Sequence, residues 1–402
     1  MSARVFFYVQ HLLGIGHLRR AATLARTLAE GGFDVLLVSG GAPVSGLALG
    51  AARFHQLSPL RAADETLKDL ARLDGTPLDE AFRAARVKAL LDLLRAETPD
   101  ILIIEQFPFG RTRLRFELLP LLEAAKAMNP RPRIVSSVRD VVRRSTSPQR
   151  VSESVEIFEN FFDSVLIHAD PRLVGFARSF AGWDRIKSRA LYTGFVAEHD
   201  LAQRSHVPKG SATEGSGDVV VSAGGGAVGA PLLHAALLAR PKTALADRTW
   251  RLLVGANMPA AERSALAGSA GTKSKGIVIE PARPDFTTLL ANATLSISQA
   301  GYNTTIETLC CADRAVLVPF GTERETEQAD RAALLAERGM VAVVPPGTLS
   351  PGSLADAIGR ALAGPSLRSF PPCDANGGPA AALVLHRLLA GRSRTVAPRS
   401  WA

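Results

Sequence analysis

The stretch ISQAGYNTTIETL, residues 297–309, decides the fold class because it joins an apolar run to a helical pattern through a glycine turn at Gly301. This order of strand, glycine turn and helix is the repeating unit of an α/β sheet. Thr304 and Thr305 fall in the first turn of the predicted helix, where hydroxyl and backbone N–H groups can bind phosphate. Glu307 follows about one turn later, where a carboxylate can bind a ribose diol. Its alternative role is that of a favourable acid early in a helix.

The same order opens each half of the chain. An apolar run at 5–9 precedes the first glycine turn, and helical periodicity follows it. A second run, at 219–222, precedes a second glycine turn and another helical pattern. Glycine lets the backbone approach an anion closely, although a tight turn without a ligand would also need it. The glycines of the two turns are Gly14 and Gly16, and then Gly224, Gly225 and Gly226.

Short apolar runs predict the remaining strands of both halves, and the segments between them predict helices. One such segment, 61–97, has the pattern of a charged amphipathic helix. The further predicted strands are 35–38, 101–104, 134–138 and 165–167 in the first half, and 250–254, 277–279, 294–297, 315–318 and 341–344 in the second. Strands that alternate with helices in this way predict mostly parallel sheets.

The chain has 402 residues, 47% of them apolar, which is enough for two domains with cores of their own. A polar stretch rich in Gly, Ser and Thr separates the two halves and has no apolar periodicity. We predict a Rossmann-like N-terminal domain at 1–195, a linker at 196–216, a Rossmann-like C-terminal domain at 217–378, and a C-terminal helix and tail at 379–402.

The composition excludes several classes of protein. Three cysteines, two of them adjacent at Cys310 and Cys311, cannot form a disulfide framework or a zinc cluster, and they favour a reducing, cytoplasmic location. The apolar run near the N-terminus is too short for a signal peptide, and no run approaches the roughly 18 residues of a membrane span. The chain has no Asp-x-Asp motif, so we expect no metal site of that type.

Polar side chains follow the predicted strands of the first half, at the edge where open α/β sheets bind ligands. His17 lies where the first glycine turn meets its helix, and a neutral imidazole there can act as a general base. Glu105, Arg139 and Asp140 follow two further strands and are candidates for acceptor contacts or acid–base chemistry. The alternatives are local packing of the histidine and a salt bridge between loops.

Together these motifs resemble the family 28 group of GT-B glycosyltransferases, which includes the undecaprenyl-linked N-acetylglucosaminyltransferases of peptidoglycan synthesis. That group carries a Gly-Gly-His turn, a glycine-rich turn opening the second domain, Ser-x-Ala-Gly-x-x-Thr-x-x-Glu, and Val-Pro-Phe before a Gln-containing loop. The resemblance is specific over 277–345 and weaker over 1–40 and 217–240. The matching stretches here are Gly14-Ile15-Gly16-His17, Gly224-Gly225-Gly226, residues 298–307, Val318-Pro319-Phe320 and Glu327-Gln328.

The resemblance implies the GT-B fold, an α/β architecture of two facing Rossmann-like domains with a cleft between them. It implies a hexosyltransferase that uses a nucleotide-sugar, UDP-linked, as donor substrate and needs no cofactor or metal. By the resemblance His17 faces the acceptor, with Gly14 and Gly16 on the same side. His17, or failing it Glu105, is then the catalytic base. Glu105, Arg139 and Asp140 lie outside the family's pattern, and their positions after strands place Arg139 and Asp140 on the acceptor side. The donor-binding residues are Gly224, Gly225, Gly226, Ser298, Gly301, Thr304, Thr305, Glu307, Glu323, Glu327 and Gln328.

The net positive charge of the chain indicates which binding partners are expected. The formal net charge is +9, and most of it lies in the first half, where arginines cluster around 111–115 and 131–150. Such a surface suits an anionic membrane and a lipid-linked acceptor at its inner face, although a soluble acceptor such as a polysaccharide precursor fits equally. Nucleic acid is not expected, because the chain has only three Tyr and three Trp residues and carries no recognised binding motif.

Two other functions share this architecture. A UDP-sugar 2-epimerase would hold more acid–base groups and need no acceptor. A non-catalytic nucleotide-sugar-binding protein would keep the fold without the chemistry. The residues alone leave these alternatives open, together with the identity of the acceptor.

Overall fold

The computed structural model describes residues 2–12, 14–63, 69–145, 147–197, 201, 215–224, 229–255, 258–270, 275–321 and 326–391. The chain divides into two compact units. The first unit comprises 1–171, 176–198 and 376–402, and the second comprises 172–175 and 199–375. The predicted linker, 196–216, lies largely outside the described residues.

The first unit contains a seven-stranded parallel sheet in the order β3-β2-β1-β6-β7-β8-β9, beside an antiparallel pair, β4 and β5. Its central strands are buried on both faces, as a parallel sheet covered by helices requires. The strands are β1 Arg4–Val9, β2 Asp34–Ser39, β3 Arg53–Gln56, β4 Leu60–Ala62, β5 Leu70–Arg72, β6 Ile101–Glu105, β7 Arg133–Val138, β8 Ser164–Ile167 and β9 Ala190–Tyr192.

Helices cover this sheet, and the second of them corrects the prediction of a helix over 61–97. That helix begins only at Glu80, because the Asp79 carboxylate caps it by accepting from Phe82 N at 2.7 Å. The helices are α1 Gly16–Glu30, α2 Glu80–Glu97, α3 Arg115–Ala127, α4 Pro148–Phe161 and α5 Trp183–Ile186, with 3-10 turns at Thr112–Leu114, Phe176–Arg178 and Lys187–Arg189.

The second unit contains a six-stranded parallel sheet in the order β12-β11-β10-β13-β14-β15. Trp250 is fully buried at the start of β11, and its indole N–H donates to the Leu245 carbonyl at 3.0 Å. The strands are β10 Val219–Ser222, β11 Trp250–Val254, β12 Ile277–Pro281, β13 Leu295–Ser298, β14 Ala315–Leu317 and β15 Ala342–Val343. The helices are α6 Ala230–Ala239, α7 Ala260–Ala270, α8 Phe286–Asn292, α9 Tyr302–Cys311, α10 Glu327–Glu337 and α11 Pro351–Ala363, with 3-10 turns at Arg240–Lys242 and Leu367–Ser369.

The last helix, α12 (Gly377–Ala390), belongs to the first unit and packs on α1. Ala381 and Leu385 are fully buried in the core that α1 shares with the sheet. The His386 ring stacks on Phe33 with centroids 4.2 Å apart. The contact is close, because a Cβ added to Gly378 would lie 2.5 Å from Thr27 Oγ1.

Each sheet has the strand order that creates a crevice at its carboxyl edge. In the first unit β1 lies between β2 and β6, and in the second unit β10 lies between β11 and β13. The helical connections that follow the two neighbouring strands therefore run in opposite directions, which opens a crevice between β1 and β6 and another between β10 and β13. Ligands of open α/β sheets bind at these points. Among the described residues, no helix is long and apolar enough to cross a membrane.

Candidate functional site

At the crevice of the first unit, a histidine and a glutamate are in direct contact. His17 is the second residue of α1, and Glu105 is the last residue of β6, which pairs with β1. Their Nδ1 and Oε1 atoms lie 2.6 Å apart. Glu105 is completely buried, whereas the His17 side chain keeps 16% of its surface exposed. The topology therefore joins two predicted catalytic residues that are 88 positions apart.

The contact fixes the protonation pattern of the imidazole. A carboxylate only accepts hydrogen bonds, so Nδ1 of His17 must carry the proton that Glu105 binds. In the neutral ring, Nε2 then keeps its lone pair. This is the arrangement of a general base oriented by an acid.

Arg20 completes the group. It lies three residues after His17 on the same face of α1, and its Nη2 donates to Glu105 Oε1 at 2.5 Å. Burial alone would raise the pKa of Glu105, but His17, Arg20 and Arg111 hold that pKa far below its usual range. Glu105 is therefore an anion at any physiological pH.

The surroundings keep His17 neutral. Burial is the main reason that the pKa of His17 lies well below its ordinary value, and the positive charges of Arg139 and Arg111 lower it further. Arg139 lies against the glycine turn, since a Cβ added to Gly16 would be 3.1 Å from Arg139 Nη2. A neutral imidazole is the form that can accept a proton.

Two residues near this group have strained backbone. Gln106 has φ of +66° and Arg111 has φ of +58°, in the left-handed region that non-glycine residues rarely adopt. Such strain concentrates at functional sites. Of the other predicted acceptor-side residues, Asp140 is buried and accepts from Val141 N at 2.9 Å, whereas Gly14 is exposed.

A second buried ion pair lies in the same unit and was not predicted. Arg86 Nε donates to Glu117 Oε2 at 2.5 Å, and Tyr8 donates its hydroxyl to the other carboxylate oxygen. Arg86 also donates to the Gly40 and Ser58 carbonyls. The cluster joins α2 and α3 to β1 and to the loop after β2, which gives it a structural role.

His168, at the end of β8, was likewise not predicted. Its Nε2 lies 2.9 Å from Ser137 Oγ and its Nδ1 lies 2.8 Å from Thr193 Oγ1. Burial lowers the pKa of His168 well below its ordinary value, and Arg20 lowers it further. This neutral histidine links the ends of three neighbouring strands.

In the second unit, the start of α9 has the features of an anion site. No side chain caps the helix, and no acid lies in its first turn. Ser298 and Thr305 are buried, and their hydroxyl oxygens have no hydrogen-bond partner among the described residues. Gly224 has φ of +69°, and a Cβ added to it would lie 3.9 Å from Thr304 Oγ1. The glycine turn after β10 and the start of α9 are thus neighbours.

The other predicted donor residues lie on α9 and α10. Glu307 is half-buried on α9. Gln328 accepts from Phe320 N at 3.1 Å, which leaves its amide N–H groups for another partner. Arg331, missed by the sequence analysis, donates to the Ala300 carbonyl at 2.7 Å and so supports the turn before α9.

Glu327 is the half-buried first residue of α10, and Gly301 is the N-cap of α9. Gly225, Gly226 and Glu323 lie outside the described residues. Within the described part of the chain, no three His, Cys, Asp or Glu side chains are grouped to hold a metal ion.

Known proteins resemble part of the chain in sequence and the whole chain in fold. The sequence profile of the glycosyltransferase family 28 C-terminal domain matches residues 220–377. No curated protein sequence matches the chain. Among solved structures, the calicheamicin glycosyltransferase CalG4 shares the fold over 99% of this chain and 100% of its own, with a TM-score of 0.64 and 17% identity.

Two further structures share the fold at low identity. MurG of Acinetobacter baumannii covers 96% of this chain and 99% of its own, with a TM-score of 0.60 and 13% identity. MnaA of S. aureus, solved with UDP, covers 100% of both chains, with a TM-score of 0.60 and 12% identity. The chain is thus a glycosyltransferase of the GT-B fold, and residues 220–377 match the family 28 C-terminal domain.

Proposed function

We propose that the chain transfers a hexosyl group from a UDP-sugar to an acceptor hydroxyl without a metal ion. The observation that carries this proposal is the 2.6 Å contact between His17 Nδ1 and Glu105 Oε1. It directs the basic Nε2 of a neutral imidazole toward a substrate proton, and Glu105 stabilises the imidazolium that forms.

The donor would bind the second unit. The N-terminus of α9 and the buried hydroxyls of Ser298 and Thr305 suit a diphosphate, whose charge grows as the sugar–phosphate bond breaks. Glu307 would accept from the ribose diol. Gln328, with Glu323 and Glu327, would contact the sugar. The glycine turn at Gly224–Gly226 would bring backbone N–H groups to the diphosphate. The fold shared with S. aureus MnaA, whose structure contains UDP, supports UDP as the nucleotide.

The acceptor would bind the first unit. Three positive charges, those of Arg20, Arg111 and Arg139, lie near His17, and the carboxylate of Glu105 offsets only one of them. The local charge therefore favours an acceptor with an anionic group. A lipid-linked phosphate or a charged polysaccharide precursor has that chemistry. We further propose a cytoplasmic protein that touches anionic membrane surfaces through the basic first unit. Flotation with anionic vesicles should decrease as salt rises, and binding that is insensitive to salt would contradict this contact.

The first experiment measures thermal stabilisation by UDP, GDP, dTDP and their sugar conjugates. UDP at 100 times its dissociation constant should add about 2.7 kcal/mol to the free energy of unfolding. Glu307→Ala should weaken UDP binding about 10- to 100-fold, since it removes charge-assisted hydrogen bonds worth about 1.5–3 kcal/mol. Glu337→Ala, at an exposed position at the end of α10, is the matched control and should bind UDP normally.

The same preparations distinguish the alternatives. Stabilisation by no nucleotide would contradict the donor site, and equal stabilisation by GDP would contradict the choice of UDP. Conversion of a UDP-sugar into its 2-epimer without an acceptor would contradict transfer. Loss of UDP release after EDTA treatment, with recovery on adding a divalent metal, would contradict the metal-independent mechanism.

A further inference from the structure

Two cysteines far apart in the chain meet in the second unit. The sulfur atoms of Cys310 and Cys373 lie 2.7 Å apart, and the two residues are separated by 63 positions. This distance is shorter than the roughly 3.5–4.0 Å between non-bonded heavy atoms. It is longer than the about 2.05 Å of a disulfide bond. The thiols are free and already face each other.

We propose that Cys310 and Cys373 form a reversible redox pair that closes into a disulfide within the second unit. The proposal rests on the positions of the two sulfurs and is independent of the transferase function proposed above. The third cysteine, Cys311, is the neighbour of Cys310 in sequence but is buried, with 5% of its surface exposed. It lies outside the pair and provides an internal control.

The chemistry is thiol–disulfide exchange with a small disulfide such as oxidised glutathione. The Cys373 thiolate attacks one glutathione sulfur, forms a mixed disulfide and releases the first glutathione thiol. Cys310 then loses its proton to solvent and attacks the Cys373 sulfur, which releases the second. Two protein thiols become one disulfide, while one oxidised glutathione becomes two reduced molecules.

The order of attack follows from the environments of the two sulfurs. Cys373 lies in a non-helical segment after the exposed Pro371 and Pro372, where an external disulfide can approach. Cys310 lies in the last turn of α9, and its hydrogen bond with Cys373, together with burial, raises the pKa of its thiol. Cys310 therefore keeps its proton until the mixed disulfide has formed, and it then acts as the resolving thiol.

The disulfide would join α9 to the segment that precedes α12. Cys310 is one helical turn from Glu307, and the charge of Glu307 acts on its thiol. Cys373 precedes the point at which the chain enters α12. Closing the bond moves the sulfurs by only roughly 0.7 Å. We therefore expect the disulfide to increase the stability of the second unit and to leave the nucleotide site in place.

The decisive experiment counts thiols in the native full chain over a series of glutathione ratios. The wild type should fall from three thiols to one, and peptide mapping should find Cys310 joined to Cys373. Cys311→Ala should form the same link. Cys310→Ser and Cys373→Ser should not form it, and each should retain two thiols, or one thiol and a single bound glutathione.

Several results would overturn the proposal. These are three thiols retained at the most oxidising ratio, a stable glutathione adduct on Cys373 with Cys310 still reduced, or a link through Cys311. Oxidation should also raise the unfolding temperature of the wild type and of Cys311→Ala by several degrees, but not that of Cys373→Ser. The dissociation constant of UDP should stay within about twofold between the two redox forms. A larger change in the dissociation constant would contradict a disulfide that leaves the nucleotide site in place. Absence of UDP binding in both forms would count against the donor site alone.

Discussion

Replacing Glu105 with glutamine separates the role of the negative charge of this carboxylate in activating His17 from its role in stabilising the fold. In the native protein, Glu105 accepts from both His17 Nδ1 and Arg20 Nη2. Both donors use the same oxygen, Oε1, so in Glu105→Gln the amide oxygen keeps both bonds, and the amide N–H₂ takes the place of Oε2, which has no partner among the described residues. His17 therefore keeps its tautomer, but the negative charge that stabilises its imidazolium is lost, and Nε2 becomes a weaker base.

The magnitude follows from these contacts. A general base contributes about 10²–10⁴-fold to kcat, and loss of the charge that stabilises its protonated form should remove most of that contribution. The free energy of unfolding should fall by about 1–3 kcal/mol, because the ion pair with buried Arg20 becomes a hydrogen bond from this cation to a neutral acceptor. Glu117→Gln is the matched control. Glu117 is an equally buried carboxylate bound to a buried arginine, Arg86, at the same 2.5 Å, but it has no histidine partner.

The assay is UDP release from the UDP-sugar that gives the largest thermal shift, with water in place of the acceptor hydroxyl, together with urea unfolding. Both variants should lose similar stability, and only Glu105→Gln should lose kcat by two orders of magnitude or more. Equal rate losses in the two variants would show that the effect is structural. A Glu105→Gln enzyme within a few-fold of the wild-type rate would refute the role of the His17–Glu105 pair.

Further predictions concern pH and packing. Arg139→Gln removes a positive charge that lowers the pKa of His17, so the acidic limb of kcat/KM should move to higher pH; Arg139→Lys should leave the limb in place. The first unit should lose stability as pH falls below about 6.5, by up to about 1.4 kcal/mol per pH unit for each buried neutral histidine. Among the described residues, His17 and His168 are the histidines whose folded pKa values lie well below that of the unfolded chain, and a flat urea-unfolding profile between pH 7 and 5 would contradict this. Gly378→Ala places a methyl group 2.5 Å from Thr27 Oγ1 and should cost about 1–3 kcal/mol in thermal unfolding; an unchanged midpoint would show that α12 shifts freely on α1.

The sequence predicted the buried strands well, because strands covered on both faces are continuous apolar runs. Residues 219–222 and 250–254 are strands with those bounds, and 101–104 extends by one residue. The missed strands, β3 and β9, are half-buried or exposed edge strands with weak apolar patterns. The antiparallel strands β4 and β5, at 60–62 and 70–72, were also missed. They overlap the stretch 61–97, in which the spacing of charged residues resembles that of an amphipathic helix.

Local sequence motifs identified single residues of the site, but they did not identify the contacts between residues that are distant in sequence. His17 and Glu105 were each identified from their position after a strand, but their contact depends on the pairing of β1 with β6. Arg20 was within reach, because its spacing of three residues from His17 places both on one face of α1. Arg86 and Glu117 gave no such signal, since the fold alone joins residues 31 positions apart on different helices.

The return of α12 to the first unit has a consequence for biosynthesis. Ribosomes make proteins from the N-terminus, and domains generally fold as they emerge. The residues of the second unit, 172–175 and 199–375, leave the ribosome before α12 does, so the first unit lacks this helix until residues 377–390 have been made. During that interval the face of α1 that later receives Ala381 and Leu385 is open to water. The unit whose sheet is translated first is therefore completed last.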